Sequence, residues 1–449
     1  MRHERMLLAT AFLLGALLRL PGIDATPLRP DEASQAWRAG QAASQGQIVT
    51  DGVASAFLAS AQAALFLLVE PNTLLARLPA ALCGLALLAA PIVVRDVLGP
   101  ARTLALVLLL AIDPTLVRTA RDGSGPAAAV LAAALAAVSI LRWSQAARVD
   151  AARAQRCAVA TAAAAGILAT TGPHAWTLAL PLALVATTLR PWRLSAPRWR
   201  TCAAAFFGSL LLAATAGLWA LPWAAAVSSS LTMWLGWAAS PSQATVPLAV
   251  VRSAPLTALL AMLGVAHASR GRLALMGALA WGLLAAFRSD DGAAVLAVVL
   301  AWSASAAMGR ALEDDRARRA WRVALAAAPL ALVVQLGAAA RPLGPGSSVS
   351  ARPDLDTLAA DLERLAVHEG REATEMPAFV LGEREDPGVL WALRRARAVR
   401  YAPHRPTGSD GTRPALVLTG AMPSTPPAGY VGTTYGAPSG IVSLWVPID

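Results

Sequence analysis

Eleven apolar segments recur along this chain of 449 residues, and each approaches the length that crosses the ~30 Å hydrocarbon core of a bilayer. Hydrophobic residues make up 56% of the sequence and charged residues only 14%, a balance that exceeds what a soluble core of this size uses. The sequence therefore predicts a polytopic α-helical membrane protein. The predicted spans are Met6–Ile23, Leu78–Val94, Thr103–Val117, Ala127–Leu141, Cys157–Thr171, Trp176–Leu189, Thr201–Leu221, Leu248–Ala266, Leu273–Phe287, Ala293–Met308 and Val323–Ala340.

The arginines decide how these spans are oriented. The chain has no lysine, and arginine clusters occupy every second connection between the predicted spans. Short cytoplasmic connections are enriched in arginine. If the ambiguous apolar segment Val53–Val69 does not cross, every cluster lies inside with Arg2 and Arg5, and the arginine-free connections 172–175 and 222–247 lie outside. We therefore predict a multi-pass cell-membrane protein with a cytoplasmic amino terminus and an extracytoplasmic carboxyl tail.

The same count divides the chain into parts. Residues 1–340 form the predicted transmembrane domain, with a long first external loop at 24–77 that carries membrane-surface helices. Residues 341–353 read as a linker. Residues 354–449 predict a small extracytoplasmic α/β domain, because Asp354–His368 has leucines at helical spacing and short β-rich runs follow it. Those later elements are strands at Ala378–Leu381, Ala398–Tyr401, Ala415–Leu418 and Val442–Val446, with a helix at Gly388–Ala396.

Short motifs follow one another in a specific order through the first third of the chain. They are Leu18-Arg19-Leu20-Pro21-Gly22, Arg29-Pro30-Asp31-Glu32-Ala33 with Trp37, Ala76-Arg77-Leu78-Pro79-Ala80-Ala81-Leu82, Leu98-Gly99-Pro100-Ala101-Arg102, and the stretch from Asp113 to Asp122. This order resembles the GT-C superfamily of membrane glycosyltransferases, which includes protein O-mannosyltransferases and lipid A aminoarabinose transferases. The resemblance covers about residues 6–130 and is weaker beyond them.

The resemblance implies a GT-C-like fold and a cell-envelope glycosyltransferase. Such an enzyme would take a hexosyl or pentosyl group from a polyprenyl-phosphate sugar in the membrane lipid and transfer it to an unknown extracytoplasmic acceptor. That reaction needs a base for the acceptor proton and cations for the leaving phosphate. The arginine clusters are typical of cytoplasmic anchoring rather than of a nucleic-acid-binding face, so we expect no nucleic-acid partner.

Three acids are the predicted catalytic residues. Asp31 is the expected base, and Glu32 is its partner or a residue that orients the acceptor. Asp122 is the acid expected opposite them at the outer end of the third span. The alternative is that Asp31 and Glu32 only cap and open a surface helix over Ala33–Ala43. Relatives carry a further Arg and Asp where this chain has Ser124, Gly125 and Pro126.

Cationic and aromatic side chains complete the predicted site. Arg118, Arg121 and Arg288 are expected to meet the lipid phosphate, although an interfacial anchor explains Arg288 equally well. His174 and Trp37 are further candidates, with a structural role and an interfacial belt as their alternatives.

No spacing indicates a metal site, and a divalent ion bridging Asp31, Asp122 and phosphate stays open without a motif behind it. Two other function classes also stay open. One is a lipid or sugar-lipid flippase or transporter, although no repeated halves are visible. The other is a degenerate, non-catalytic GT-C relative that acts as a binding protein.

Overall fold

A computed structural model describes the chain at residues 2–25, 28–46, 48–49, 53–123, 126–194, 196–215, 217, 221–239, 245–267, 272–288, 292–313, 322–340, 354–368, 378–381, 386–394, 399–402, 415–419, 430–437 and 440–447. The predicted linker at 341–353 lies outside these residues, as do Ser124 and Gly125.

Helices dominate the described chain. Those of the first 340 residues are α1 Arg2–Arg19, α2 Pro30–Gln45, α3 Ala56–Phe66, α4 Thr73–Val93, α5 Arg95–Leu98, α6 Pro100–Ile112, α7 Pro114–Ala120, α8 Ala127–Ala146, α9 Ala151–Ala169, α10 His174–Leu189, α11 Pro191–Leu194, α12 Trp199–Ala214, α13 Ala225–Ala239, α14 Thr245–Ser253, α15 Pro255–His267, α16 Arg272–Arg288, α17 Gly292–Glu313 and α18 Arg322–Ala340.

Within the described ranges, two helices are long and apolar enough to cross a bilayer, α4 and α8. The number rises to four if each of two bent pairs forms one span, and shorter apolar helices accompany them. The count of eleven spans therefore stays a prediction.

Two predicted spans are broken in the structure. The chain bends by 62° between α6 and α7 and by 94° between α14 and α15. Each second helix begins with a proline, Pro114 or Pro255, which fits a first helical position and disfavours helical geometry in the residue before it. Asp113 also caps α7, because its carboxylate accepts from the backbone N–H groups of Thr115 and Leu116 at 3.0 and 3.1 Å.

The largest described apolar core joins several of these helices. Buried side chains from α1, α4, α6, α8 and α17 belong to one apolar cluster, in which Leu88, Leu109 and Leu296 are examples. Many of the contacts are made by alanine and glycine, which let helix backbones approach closely in a membrane protein. At Gly84 on α4 an added Cβ would collide with the side chain of Ala120 on α7.

The first predicted external loop contains two helices that pack on one another. α2 presents Ala33, Ala36 and Ala39 at helical spacing, and they are buried against Ala59 and Ala63 of α3. At 11 residues and about 1.5 Å per residue, α3 is roughly half as long as the hydrocarbon core is thick. Its length suits the predicted surface position, which stays a prediction.

One helix lies where the sequence predicted only an external loop. Residues 222–247 contain α13, Ala225–Ala239, preceded by a 3₁₀ turn at Leu221–Ala224. Its sequence, AAVSSSLTMWLGWAA, is apolar but interrupted by three serines and is shorter than a span. Packing against α10 explains why it forms a helix, since local sequence alone does not distinguish it from a loop.

Within the last hundred residues, the described part contains a five-stranded sheet and two helices. The elements are α19 Asp354–His368, β1 Ala378–Leu381, α20 Pro387–Ala392, β2 Val399–Ala402, β3 Ala415–Thr419, β4 Tyr430–Ala437 and β5 Gly440–Pro447. The strand order is β2-β1-β3-β5-β4; β1 is parallel to β2 and β3, and β5 is antiparallel to β3 and β4. The predicted helix Asp354–His368 and strand Ala378–Leu381 have the predicted bounds, whereas β4 was not predicted.

This carboxyl-terminal unit rests on the two helices of the first loop. Trp391 of α20 is buried in the same apolar cluster as α2 and α3, and its ring centroid lies 6.0 Å from that of Phe66. Arg394 donates from Nε to the carbonyl of Pro71 at 3.0 Å and lies over the Trp391 ring. Trp37 of α2 packs against both cores. The beginning and the end of the chain therefore share one interface.

Candidate active site

Asp31 and Asp122 converge on a single guanidinium group. Arg29 precedes the first turn of α2, and its Nη2 lies 3.2 Å from Oδ2 of Asp31. The same Nη2 contacts Oδ2 of Asp122, which follows α7. The Arg29 and Asp31 side chains are each 53% exposed, whereas Asp122 is 10% exposed. The structure thus brings two of the three predicted acids together and adds Arg29, to which the sequence alone assigned no role.

Glu32 has very different surroundings from its neighbour Asp31. Its carboxylate forms a two-pronged ion pair with Arg77, at 2.9 Å from Nε and 2.7 Å from Nη2. It also accepts from the backbone N–H of Gly123 at 2.7 Å and from that of Arg29 at 2.8 Å. Glu32 and Arg77 side chains are each only 2% exposed. Four donors therefore occupy a carboxylate that is closed to solvent.

Two buried glutamines bind the backbone of Gly123, the residue that follows Asp122. Gln35 and Gln62 both donate to the carbonyl of Gly123, at 3.0 and 3.3 Å. Gln35 also accepts from the backbone N–H of Ser55, and Gln62 donates to the carbonyl of Ala76 at 2.6 Å. A Cβ added at Gly123 would lie 2.9 Å from that carbonyl oxygen, so a side chain has no room there. These buried contacts set the position of Asp122 relative to α2.

The glutamines were missed from the sequence for a physical reason. Gln35 and Gln62 follow no spacing rule relative to Gly123, which lies 88 and 61 residues further along the chain. The available signal was their polarity inside segments that otherwise bury alanine, because a buried amide needs hydrogen-bond partners.

Arg121 contacts the end of the first helix rather than an open space. Its Nη2 donates to the carbonyls of Pro21 and Gly22 at 2.9 and 3.0 Å. Burial, and after it the charge of Arg77, lower the pKa of Arg121, although a guanidinium stays protonated at physiological pH. Arg118, one turn earlier, is exposed. Of these two predicted phosphate ligands, Arg118 and Arg121, Arg118 is therefore the accessible one.

A buried arginine and aspartate stabilise the break between α6 and α7. Arg19 is fully buried and donates to the carbonyls of Leu110 and Ala111, at 2.8 and 2.9 Å, where α6 ends. Asp113, also fully buried, interacts electrostatically with Arg19. The carbonyls and N–H groups freed by the break thus have charged partners.

The remaining predicted site residues lie on other elements. His174 is buried at the first position of α10, and Arg288 is the last residue of α16. Trp37 lies on α2, roughly two turns beyond Asp31, and contacts the carboxyl-terminal unit as described above. Arg252, near the end of α14, is an exposed cation that the sequence did not single out. In the described part of the chain, no three His, Cys, Asp or Glu side chains form a metal-binding group.

Three tryptophans line an apolar groove of about 320 Å³ between α10, α13 and α16. Each indole N–H has a partner within the protein. Trp176 donates to Ser230 at 3.0 Å, Trp234 to the hydroxyl of Thr177 at 3.1 Å, and Trp281 to the carbonyl of Thr177 at 2.7 Å. The groove therefore presents ring atoms rather than polar groups. Its other lining residues are Ala179, Leu180 and Ala183.

No protein-family model and no curated protein matches the sequence. Solved structures do match. ArnT from Cupriavidus metallidurans in the apo state has a TM-score of 0.61 at 14% identity, over 98% of this chain and 97% of that chain. The same protein bound to undecaprenyl phosphate has a TM-score of 0.57 at 15% identity, with the same coverage of both chains.

A third match is more distant and covers less of its partner. The Archaeoglobus fulgidus oligosaccharyltransferase in the apo form has a TM-score of 0.54 at 14% identity, over 88% of this chain and 64% of that chain. The two ArnT matches cover nearly the whole of this chain. The chain therefore shares the fold of ArnT and of the archaeal oligosaccharyltransferase.

Proposed function

We propose that this protein is a membrane glycosyltransferase that moves a sugar from a polyprenyl-phosphate donor to a hydroxyl of an extracytoplasmic acceptor. The single observation that carries the proposal is the convergence of Asp31 and Asp122 on Arg29. Two carboxylates and one cation in contact provide a base and a phosphate-binding group at one place. The fold supports the same reaction class, because its structural neighbours include ArnT bound to undecaprenyl phosphate.

In the proposed reaction Asp31 is the base. It accepts the proton of the acceptor hydroxyl while that oxygen attacks the anomeric carbon of the sugar. As the new C–O bond forms, the bond from the anomeric carbon to the phosphate oxygen breaks, and its electron pair leaves with the phosphate. Direct displacement inverts the anomeric centre. Asp31 suits this role because its side chain is half exposed and therefore within reach of a substrate.

Glu32 is better suited to positioning than to proton transfer. Its oxygens already accept from Arg77, Gly123 and Arg29, and the carboxylate is closed to solvent. It ties the start of α2 to the segment that carries Asp122. The sequence predicted that Glu32 partners Asp31 or orients the acceptor; we propose instead that Glu32 positions the protein's own backbone.

Three arginines provide the proposed phosphate-binding surface: Arg118 and Arg252 are exposed, and Arg288 is half-buried. Their helices are neighbours, since α14, which carries Arg252, contacts both α7 and α16. Arginine favours phosphate because its planar fork of N–H groups matches the phosphate oxygens. Arg121 and His174 would support this surface through the ends of α1 and α10.

We propose that the polyprenyl chain binds in the tryptophan groove. Its lining is apolar, and its volume holds about ten groups of water size, or roughly two isoprene units. Trp281 precedes the cationic end of α16 at Arg288 by seven residues, about two helical turns. An apolar groove that ends near a cation suits a lipid with one anionic head.

Sugar transfer by membranes containing the full chain tests the proposal. Membranes would be incubated with labelled polyprenyl-phosphate sugars, and wild type compared with Asp31→Asn and Asp122→Asn. We expect Asp31→Asn to abolish transfer and Asp122→Asn to reduce it strongly. The matched control is Asp361→Asn, which removes a carboxylate from a surface ion pair with Arg364 on α19.

Three results would contradict the proposal. Unchanged transfer by Asp31→Asn would show that Asp31 is not the base. Lipid scrambling across the bilayer without any sugar transfer would favour the flippase, and lipid binding without either activity would favour a non-catalytic relative.

A further inference from the structure

We propose that Arg29 exchanges partners during binding: it gives up its ion pairs with Asp31 and Asp122 and moves to the donor phosphate when the lipid binds. The exchange would release the Asp31 carboxylate from Arg29, so that it can accept the proton of the acceptor. This inference deepens the proposed function and rests on it for the identity of the ligand, a phosphate carried by a polyprenyl lipid.

The geometry allows the Arg29 side chain to move while its backbone stays in place. The Arg29 N–H donates to the buried Glu32, and the next residue, Pro30, has a fixed φ at the start of α2. The Arg29 side chain is half exposed, and one nitrogen, Nη2, reaches both Asp31 and Asp122. A flexible, exposed cation on a fixed backbone can change partners at low cost.

By contrast, Arg77 forms a buried ion pair with Glu32 in the same site. It holds Glu32 with two nitrogens and gives a third to the carbonyl of Ile23 at 2.8 Å. Both members of the pair are closed to solvent. Removing Arg77 from Glu32 would leave a buried charge unpaired, which is strongly unfavourable. Arg29, unlike Arg77, therefore combines contact with Asp31 and Asp122 and access to a ligand.

The chemistry favours transfer of the guanidinium to phosphate. The Arg29–Asp31 pair is half exposed on both sides, and such an ion pair contributes little stability. A phosphate monoester or diester offers several oxygens to the planar fork and allows two parallel N–H···O bonds. The carboxylates and the phosphate thus compete for one cation, and the competition predicts opposite effects of mutating the cation and its acidic partner.

Binding of undecaprenyl phosphate to the full-length protein in lipid nanodiscs tests the exchange. Arg29→Gln should weaken binding about tenfold, because a charge-assisted contact is lost. Asp122→Asn should tighten binding about two- to fivefold, because it removes a competing partner. The double variant should bind like Arg29→Gln alone, since the effect of Asp122 acts through Arg29. Arg29→Lys should recover part of the affinity, and Arg364→Gln on α19 is the control for a surface arginine paired with an aspartate.

A merely structural role for Arg29 gives a different pattern. In that case Asp122→Asn would weaken binding as Arg29→Gln does, and the two effects would add; either result overturns the exchange. Unchanged binding by Arg29→Gln also overturns it. Because the measurement is lipid binding, a protein that shows the expected pattern but transfers no sugar would refute the proposed function and leave the exchange standing. Transfer by wild type with the contrary binding pattern would do the reverse.

Discussion

Asp31 and Glu32 are adjacent in the chain, yet the fold gives them opposite environments. Asp31 is half exposed beside Arg29, whereas Glu32 points into the protein and is held by Arg77 and Gly123. Successive residues of a helix lie about 100° apart, so one can face a ligand while the next faces the core. Two acids that are adjacent in the sequence thus have separate environments, one accessible to solvent and one buried.

The two environments predict that neutralising Glu32 mainly lowers stability, whereas neutralising Asp31 mainly lowers transfer. Glu32→Gln leaves Arg77 buried without its counter-charge and should destabilise the protein by about 3–5 kcal/mol. Asp31→Asn changes an exposed side chain and should alter stability by less than about 0.5 kcal/mol while abolishing transfer. Thermal unfolding in detergent, followed beside the transfer assay, measures both. Equal Tm values for wild type and Glu32→Gln would refute the buried role.

The acid-bearing motif could be found from sequence, but its partners could not. Asp31 and Asp122 attract attention as acids that flank predicted spans. The pairing of Glu32 with Arg77 joins residues 45 positions apart, and the bond from Gln35 to Gly123 joins residues 88 apart. Such contacts depend on how helices pack, and no local periodicity encodes them.

At the scale of elements, apolar length predicted helices well and their breaks poorly. The two bends, at Asp113 and Ala254, each precede a proline. A proline can mark the start of a helix, but the continuous hydrophobicity of each segment indicated one unbroken span. α13 was missed because its serines and short length resemble a loop. β4, with the sequence YVGTTYGA, was missed because its glycines weaken the strand pattern, and its pairing with β5 supplies the missing stabilisation.

The groove between α10, α13 and α16 leads to a prediction about donor length. Trp281→Ala should raise the KM for a long polyprenyl-phosphate sugar several-fold, because it removes apolar contact with the chain. It should leave the KM for a donor with a one-isoprene chain nearly unchanged, since such a chain, with its phosphate at Arg288, is too short to reach Trp281 about two helical turns away. Steady-state transfer with both donors measures the difference. Trp199→Ala, which removes an exposed indole at the start of α12, is the control, and equal shifts for both donors would refute the assignment.

At the scale of the whole molecule, orientation is the property on which the proposed reaction depends. The arginine clusters predict that the connection between α8 and α9 is cytoplasmic and that α2 lies outside. A phosphatase fused after Gly46 or at the carboxyl terminus should therefore be active, and a fluorescent protein inserted after Arg148 should fluoresce. Opposite signals would place the acids on the cytoplasmic side, where an extracytoplasmic acceptor has no access.

The contact between Trp391 and Phe66 attaches the tail to the amino-terminal part of the chain independently of the covalent connection. A protease cut engineered into the segment 341–353 should leave the severed tail bound, because Trp391 is buried there and Arg394 bonds the carbonyl of Pro71. Affinity purification by an amino-terminal tag would retain the fragment from the cut wild type and lose it from the cut Trp391→Ala variant. Loss from both would show that only the intact polypeptide keeps the two halves together.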